Sequence, residues 1–357
     1  MYSIITEGRV EIKKFLTEEE IQALLNYKEL EVIQFQSVIE HETFQMLNDI
    51  LFSVREDVVL RVYGFYNSTC DFRFLEKLPN LARFYAECHQ MVENLEAITN
   101  LKKLKKLMLS IYGLESFDIL SKIPDTLEEL VLGQTKSKKP NLSILERFRN
   151  LRKLLIVGHK KNIEVISDLT SIEQLTLTSI TTKNLEFLIS LKNMWYLNIN
   201  FGGISNFSAI EGLDNIKYLE LLQIRGLSDL SFISKLTGLQ YLVLQNLPNV
   251  NVMPSLSNLT QLKKVAFENM KGLKDISSLE HAPTLVEFTH WSAMNMNVDD
   301  YVPLLRNPSV ERVSVGFGSI KKNTQFEKLA EEYGKTEHIL WHNLTFFMKA
   351  NTSANEI

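Results

Sequence analysis

Histidine and cysteine carry most of the chemistry open to this sequence, and their spacing rules out nearly all of it. Of seven histidines, only His338 and His342 stand one helical turn apart, in His-Ile-Leu-Trp-His. Two imidazoles at that interval can share a zinc ion, but the glutamate of the zinc-protease pattern is absent and no third ligand stands nearby. The pair is read as structural or solvated. Cys70 and Cys88 are the only cysteines; one bridge between them is conceivable, but they are read as buried or reduced thiols. Gly316-Phe317-Gly318 lacks the third glycine of a dinucleotide loop and is read as a turn where glycine permits positive φ. No nucleophile, base and orienting acid can be assembled in sequence order. The expectation is a protein that is not an enzyme, with no cofactor and no metal.

What remains is recognition, and a ladder of apolar residues positions the side chains for it. The clear rungs are Leu104-x-x-Leu107-x-Leu109, Leu127-x-x-Leu130-x-Leu132, Leu151-x-x-Leu154-x-Ile156, Ile172-x-x-Leu175-x-Leu177, Ile216-x-x-Leu219-x-Leu221, Leu239-x-x-Leu242-x-Leu244 and Leu262-x-x-Val265-x-Phe267. They start 21 to 24 residues apart, with one double step that Met194-x-x-Leu197-x-Ile199 fills. Weaker rungs begin at Leu81, Leu285 and Val310, and Leu60-x-Val62 stands one unit earlier. A fixed period of this size marks stacked units and overrides the two or three globular domains that the length alone suggests. Alternation at the end of each rung is strand periodicity. Between rungs the apolar step is three, as in Ile233-x-x-Leu236-x-x-Leu239 and Leu256-x-x-Leu259-x-x-Leu262, which suits a 3₁₀ turn.

An apolar fraction of 45% supplies a continuous core, and 23% charged residues make an ordinary surface. The net charge of −4 gives no bulk attraction for phosphate, so nucleic acid and membrane are not expected partners. Lys102-Lys103-Leu104-Lys105-Lys106 and Lys136-Ser137-Lys138-Lys139 are read as solvated surface. The first residues show no basic stretch followed by an apolar run, and no segment is long enough to span a membrane. Sequons at Asn67, Asn141, Asn206, Asn258, Asn343 and Asn351 are read as chance. A cytoplasmic location is expected.

The rungs resemble those of leucine-rich repeat proteins, of the short-repeat class found in bacterial internalins and a phosphatase regulatory subunit. The resemblance covers about residues 57 to 318. It implies an α/β leucine-rich repeat solenoid, curved, with a parallel β-sheet on the concave face, a short 3₁₀ or irregular convex side and helical caps. The expected parts are an N-terminal cap over 1–56, repeats of about 23 residues over 57–318, a C-terminal cap over 319–350 and a flexible tail over 351–357. In the first cap, Thr17-Glu18-Glu19-Glu20 opens a helix with a capping box and residues 41–53 form a second helix. In the last, Asn323 to Tyr333 is helical, Gly334 stops it, and His338 to His342 forms a closing edge strand.

One departure from the family pattern matters. The asparagine that follows each rung in such proteins is replaced by His89, Tyr112, Thr135, His159, Ile180, Gly202, Ile224, Leu247 and Met270. Gln134, Gln223, Asn246 and Asn269 stand one place earlier as partial substitutes, and irregular stacking is expected.

The fold implies that residues between the leucines project from the concave face. Tyr196, Tyr218 and Tyr241 then form one column, with Asn198, Glu220 and Val243 beside it and Asn200, Leu222, Gln245, Glu268 and Trp291 beyond. Tyrosine and tryptophan anchor interfaces through rigid area with a polar tip, although same-face aromatics also merely brace a sheet. Met108, Val131, Leu155 and Val157 make a second, apolar group. The implied function is a scaffold that binds a macromolecular protein partner through Tyr196, Asn198, Asn200, Tyr218, Glu220, Leu222, Tyr241, Gln245, Glu268 and Trp291, inhibiting or neutralising it, with a monomer favoured. The alternatives are a targeting or regulatory subunit of an enzyme complex, or an unrecognised enzyme.

Overall fold

The structure, a computed structural model, describes residues 1–66 and 68–337. It divides into two units, 1–216 and 217–357. The chain from His338 onward, including the anticipated edge strand, the His338/His342 pair and the tail, lies outside the described residues, as does Asn67.

The first unit opens with a hairpin, β1 (Tyr2–Thr6) and β2 (Arg9–Ile12), which the sequence reading missed. Gly8 turns it at φ +75, a conformation that costs glycine nothing. Helix α1 (Glu18–Leu25) follows, and its capping box is present: Glu20 N–H donates to Thr17 Oγ1 and Thr17 N–H to Glu20 Oε2. Replacing Thr17 with alanine is expected to cost about 1 kcal/mol in chemical denaturation; an unchanged midpoint would show the box to be idle. Strand β3 (Val32–Phe35) is next. The second helix is split, with α2 (His41–Met46) running into a wider π-helical turn, Leu47–Phe52.

The repeats then add β4 (Val59–Gly64), β5 (Cys70–Asp71), β6 (Arg83–Cys88), β7 (Val92–Glu93), β8 (Lys106–Ile111), β9 (Glu129–Leu132), β10 (Lys153–Val157), β11 (Gln174–Thr178) and β12 (Tyr196–Asn200). From β2 onward the main sheet is parallel and in chain order, while β5 and β7 pair separately on the return side.

The second unit carries β13 (Tyr218–Leu222), β14 (Tyr241–Gln245), β15 (Lys264–Glu268), β16 (Glu287–Trp291), α3 (Val302–Arg306), β17 (Arg312–Val315), α4 (Ile320–Glu332) and β18 (Thr336–Glu337). Its strands are likewise parallel neighbours. Helix α4 starts three residues before the anticipated point because Ser319 Oγ accepts from Lys322 N–H, and Gly334 follows it at φ +71.

Each rung supplies one strand. Its leucines point into the core, where Leu219, Leu221, Leu244 and Phe288 are fully buried, each worth about 2 kcal/mol of transfer free energy. The return path is 3₁₀ in most repeats, as at Ser231–Lys235. Leu256 to Leu262 passes through plain turns instead.

The anticipated irregular stacking is not seen, since β13 to β17 pair one-to-one without a bulge. Three devices replace the missing asparagines. First, the residue after many strands is left-handed (Ser179, Gln223, Asn246, Asn269) and keeps its N–H in the ladder. Gln223 N–H, for example, donates to Gln245 O at 2.9 Å, and Asn246 N–H to Glu268 O at 2.9 Å. Second, the vacated position becomes core, with Ile180, Ile224, Leu247 and Met270 buried. Third, the residue just before a rung ties its turn to the previous one. Asn193 Nδ2 donates to Thr170 O at 3.0 Å, Thr284 Oγ1 to Leu262 O at 2.9 Å and Ser309 Oγ to Pro283 O at 2.7 Å.

Candidate recognition surface

Parallel pairing aligns the residues between the leucines into rows across the open face of the sheet. In the second unit the first row is Tyr218, Tyr241, Lys264, Glu287 and Arg312, in direct register. This row is closed upon itself. Tyr218 is 6% exposed and its hydroxyl donates to Glu220 Oε2 at 2.9 Å. Glu287, 4% exposed, receives Lys264 Nζ at 3.0 Å and Arg312 Nε at 3.4 Å. Burial raises the Tyr241 pKa, and the Glu287 carboxylate adds to the shift. A carboxylate held this way fixes two cations in place, and Arg312 also meets Glu311 at 3.4 Å.

The middle row is Glu220, Val243, Ala266 and Thr289. Val243, Ala266 and Thr289 are buried, and burial lifts the Glu220 carboxyl above its ordinary pKa despite the Tyr218 hydrogen bond. The third row, Leu222, Gln245, Glu268 and Trp291, is the accessible one. Trp291 is 38% exposed. Beside it lies a cavity of about 270 Å³, between β17 and α4, walled by Val315, Phe326, Ala330, Glu327 and Glu331.

Tyr196, Asn198 and Asn200 sit on β12 of the first unit. Tyr196 is 8% exposed and its hydroxyl accepts from Asn198 Nδ2 at 3.2 Å. Two of the three expected tyrosine anchors, Tyr196 and Tyr218, are thus largely inside the face. The ion-paired Lys264, Glu287 and Arg312 were not singled out from the sequence, although alternating charge down the column was visible there.

The first unit repeats the charge pattern. Lys106, Glu129 and Lys153 are in register, with Lys106 Nζ 2.6 Å and Lys153 Nζ 3.3 Å from Glu129. Burial opposes the Glu129 charge, but Lys106 and then Lys153 outweigh it and hold its carboxyl below the ordinary pKa. Nearer the N-terminus, Arg61 makes a bidentate pair with Glu87 at 2.8 and 2.7 Å and reaches Gln34 Oε1 at 2.7 Å. Cys70 and Cys88 are buried and unbridged. Among the described residues no cluster of histidine, cysteine or carboxylate could hold a metal ion, and no helix is long and apolar enough to cross a membrane.

Neither a family model nor a curated protein matches this sequence. Solved structures do. A leucine-rich repeat protein of Leptospira interrogans is 18% identical, with 92% of this chain and 81% of that one covered and a TM-score of 0.57. The functional domain of InlJ from Listeria monocytogenes, described as including a cysteine ladder, is 14% identical, with 84% and 64% covered and a TM-score of 0.51. With one short parallel strand per repeat and tight 3₁₀ returns, this chain has the fold of the leucine-rich repeat proteins.

Proposed function

We propose that the chain is a binding scaffold with no catalysis of its own, which recognises a protein partner through the open sheet face. The observation that carries this reading is the accessible row of Leu222, Gln245, Glu268 and Trp291, four chemically different side chains in strict register beside a side-chain-sized cavity. An aromatic at the row's end offers rigid area, and Gln245 and Glu268 set polar register. Tyr241 joins them from the half-buried first row. Tyr218 and Glu220 then act mainly by fixing the face beneath the partner; on the first unit, Tyr196 and Asn198 brace each other on β12 and Asn200 ends that strand. The scaffold works as a monomer in the cytoplasm, and occupying the partner's surface inhibits or neutralises it.

Exchange of Trp291 for alanine is expected to weaken a captured partner by about 2 kcal/mol, some thirtyfold in Kd, while Tyr218→Phe changes it little. Calorimetry with the purified partner tests this. Equal affinities for wild type and the Trp291 variant would remove the site from this row.

A further inference from the structure

A second feature, on the first unit, is independent of the row around Trp291. Tyr85, Met108, Val131 and Leu155 are mutual neighbours across β6, β8, β9 and β10. All four are half-buried and point to the open face, where they form an apolar stripe. Three steps of ~4.8 Å make it about 14 Å long. An α-helix rises 1.5 Å per residue, so apolar side chains at i, i+3, i+7 and i+10 span about 15 Å. The lengths agree.

The surroundings of the stripe say what kind of helix fits. Just past the ends of β9 and β10 the chain carries Lys136, Lys138, Lys139, Lys160 and Lys161, all exposed. The two turns are tied together, with Leu142 N–H donating to Lys161 O at 3.0 Å and Asn141 bridging Lys161. Lys138 Nζ reaches over Gly158, 3.1 Å from where a Cβ there would lie. Among the described residues, none of the five has a carboxylate within ion-pair distance, whereas Lys106 and Lys153 on the stripe's other flank share Glu129. One side of the stripe is therefore charge-compensated and the other is a bank of five uncompensated cations. Glu87 and Glu129 face the same surface, which disfavours a phosphate backbone and favours mixed protein chemistry.

We propose that the first unit carries a docking surface for an acidic amphipathic helix, with apolar residues seated on Tyr85, Met108, Val131 and Leu155 and carboxylates turned toward the five lysines. The test uses the full chain and synthetic helical peptides of about four turns, with leucine at those four spacings and either glutamate or lysine along the flank. Fluorescence anisotropy is expected to show the glutamate peptide binding at least about tenfold more tightly than the lysine peptide, with affinity falling as salt is raised. Lys136→Glu with Lys138→Glu and Lys139→Glu, all surface changes, should abolish the preference. Val131→Asp, checked for folding by circular dichroism, should remove binding of either peptide. Trp291→Ala should leave it unchanged, which separates this surface from the one above. Equal binding of the two peptides, no effect of the triple charge reversal, or displacement by single-stranded RNA or anionic vesicles would overturn the proposal. Assembly of the chain into dimers that block the peptide would overturn it too, assigning the stripe to a second copy.

Discussion

Replacing Gly272 with alanine is expected to destabilise the second unit by about 3 kcal/mol or more, the upper end for forcing atoms into a packed interior. An alanine Cβ there would lie 2.1 Å from Pro248 O, 2.9 Å from Pro248 C and 2.9 Å from Val250 O. All three are main-chain atoms of the preceding repeat, so no side chain can rotate aside. The turns are also clamped on either hand. Lys274 and Asp275 N–H both donate to Asn251 O, at 2.8 and 3.1 Å, and Val252 bridges Asp275. Relief therefore requires prising two repeats apart, and a repeat's stability resides largely in contact with its neighbours. Gly226 is the control. It has φ +84 with nothing among the described residues within 4 Å of its would-be Cβ, so alanine there adds only backbone strain of about 1 to 2 kcal/mol. Urea unfolding of both variants should order them Gly272→Ala below Gly226→Ala. The reverse order would mean that this close approach relaxes freely.

That crowding is also a measure of what the sequence could and could not reveal. The rungs were legible because strand periodicity is local: Leu219 and Leu221 flank Glu220 within a single strand, and alternation alone puts the two leucines on one face and Glu220 on the other. The capping box at Thr17 was legible for the same reason. The substitute for the asparagine ladder was not. Asn193 bonding Thr170 O, or Thr284 bonding Leu262 O, joins residues more than twenty positions apart, and nothing in either neighbourhood announces the link. The N-terminal hairpin was missed although its turn signal, glycine at position 8, lies in plain view, because Tyr2–Thr6 pairs with no part of the repeat.

The candidate surface around Trp291 shows the same division. Sequence places Tyr218 and Trp291 on one face of the sheet, and both are there. It does not give depth. Tyr218 lies beside Tyr241 and over Glu220 and is nearly covered, while Trp291 ends its strand and stays open. How far a side chain stands out depends on the bulk of its neighbours in the adjoining repeats. The accessible row could not be told from the two closed ones before register and packing were known.

Acidification should test the core behind Trp291. Stability of the second unit is expected to be full above the ordinary imidazole pKa of about 6.5 and to fall by about 3 kcal/mol as pH drops to about 4. The cause is His290, which is fully buried and whose pKa burial depresses to about 4. Its Nδ1 is 2.7 Å from the Tyr301 hydroxyl, its Nε2 has no hydrogen-bond partner among the described residues, and the Phe267 ring packs edge-on at 5.5 Å. Folded protein therefore keeps this imidazole neutral down to about pH 4, whereas the unfolded chain takes up the proton near 6.5. Between those values the unfolded state binds more protons, so stability must decline with falling pH, at about 1.4 kcal/mol per unit. Carboxylates add their own dependence at the acid end, and a variant lacking only the imidazole separates the two. His290→Phe combined with Tyr301→Phe removes the titrating group without stranding the hydroxyl. Its denaturation midpoint should change far less than that of the wild type across this pH window. Parallel pH profiles for the two proteins would show that His290 either is solvated or keeps an ordinary pKa, and the core would then owe its acid sensitivity to other groups.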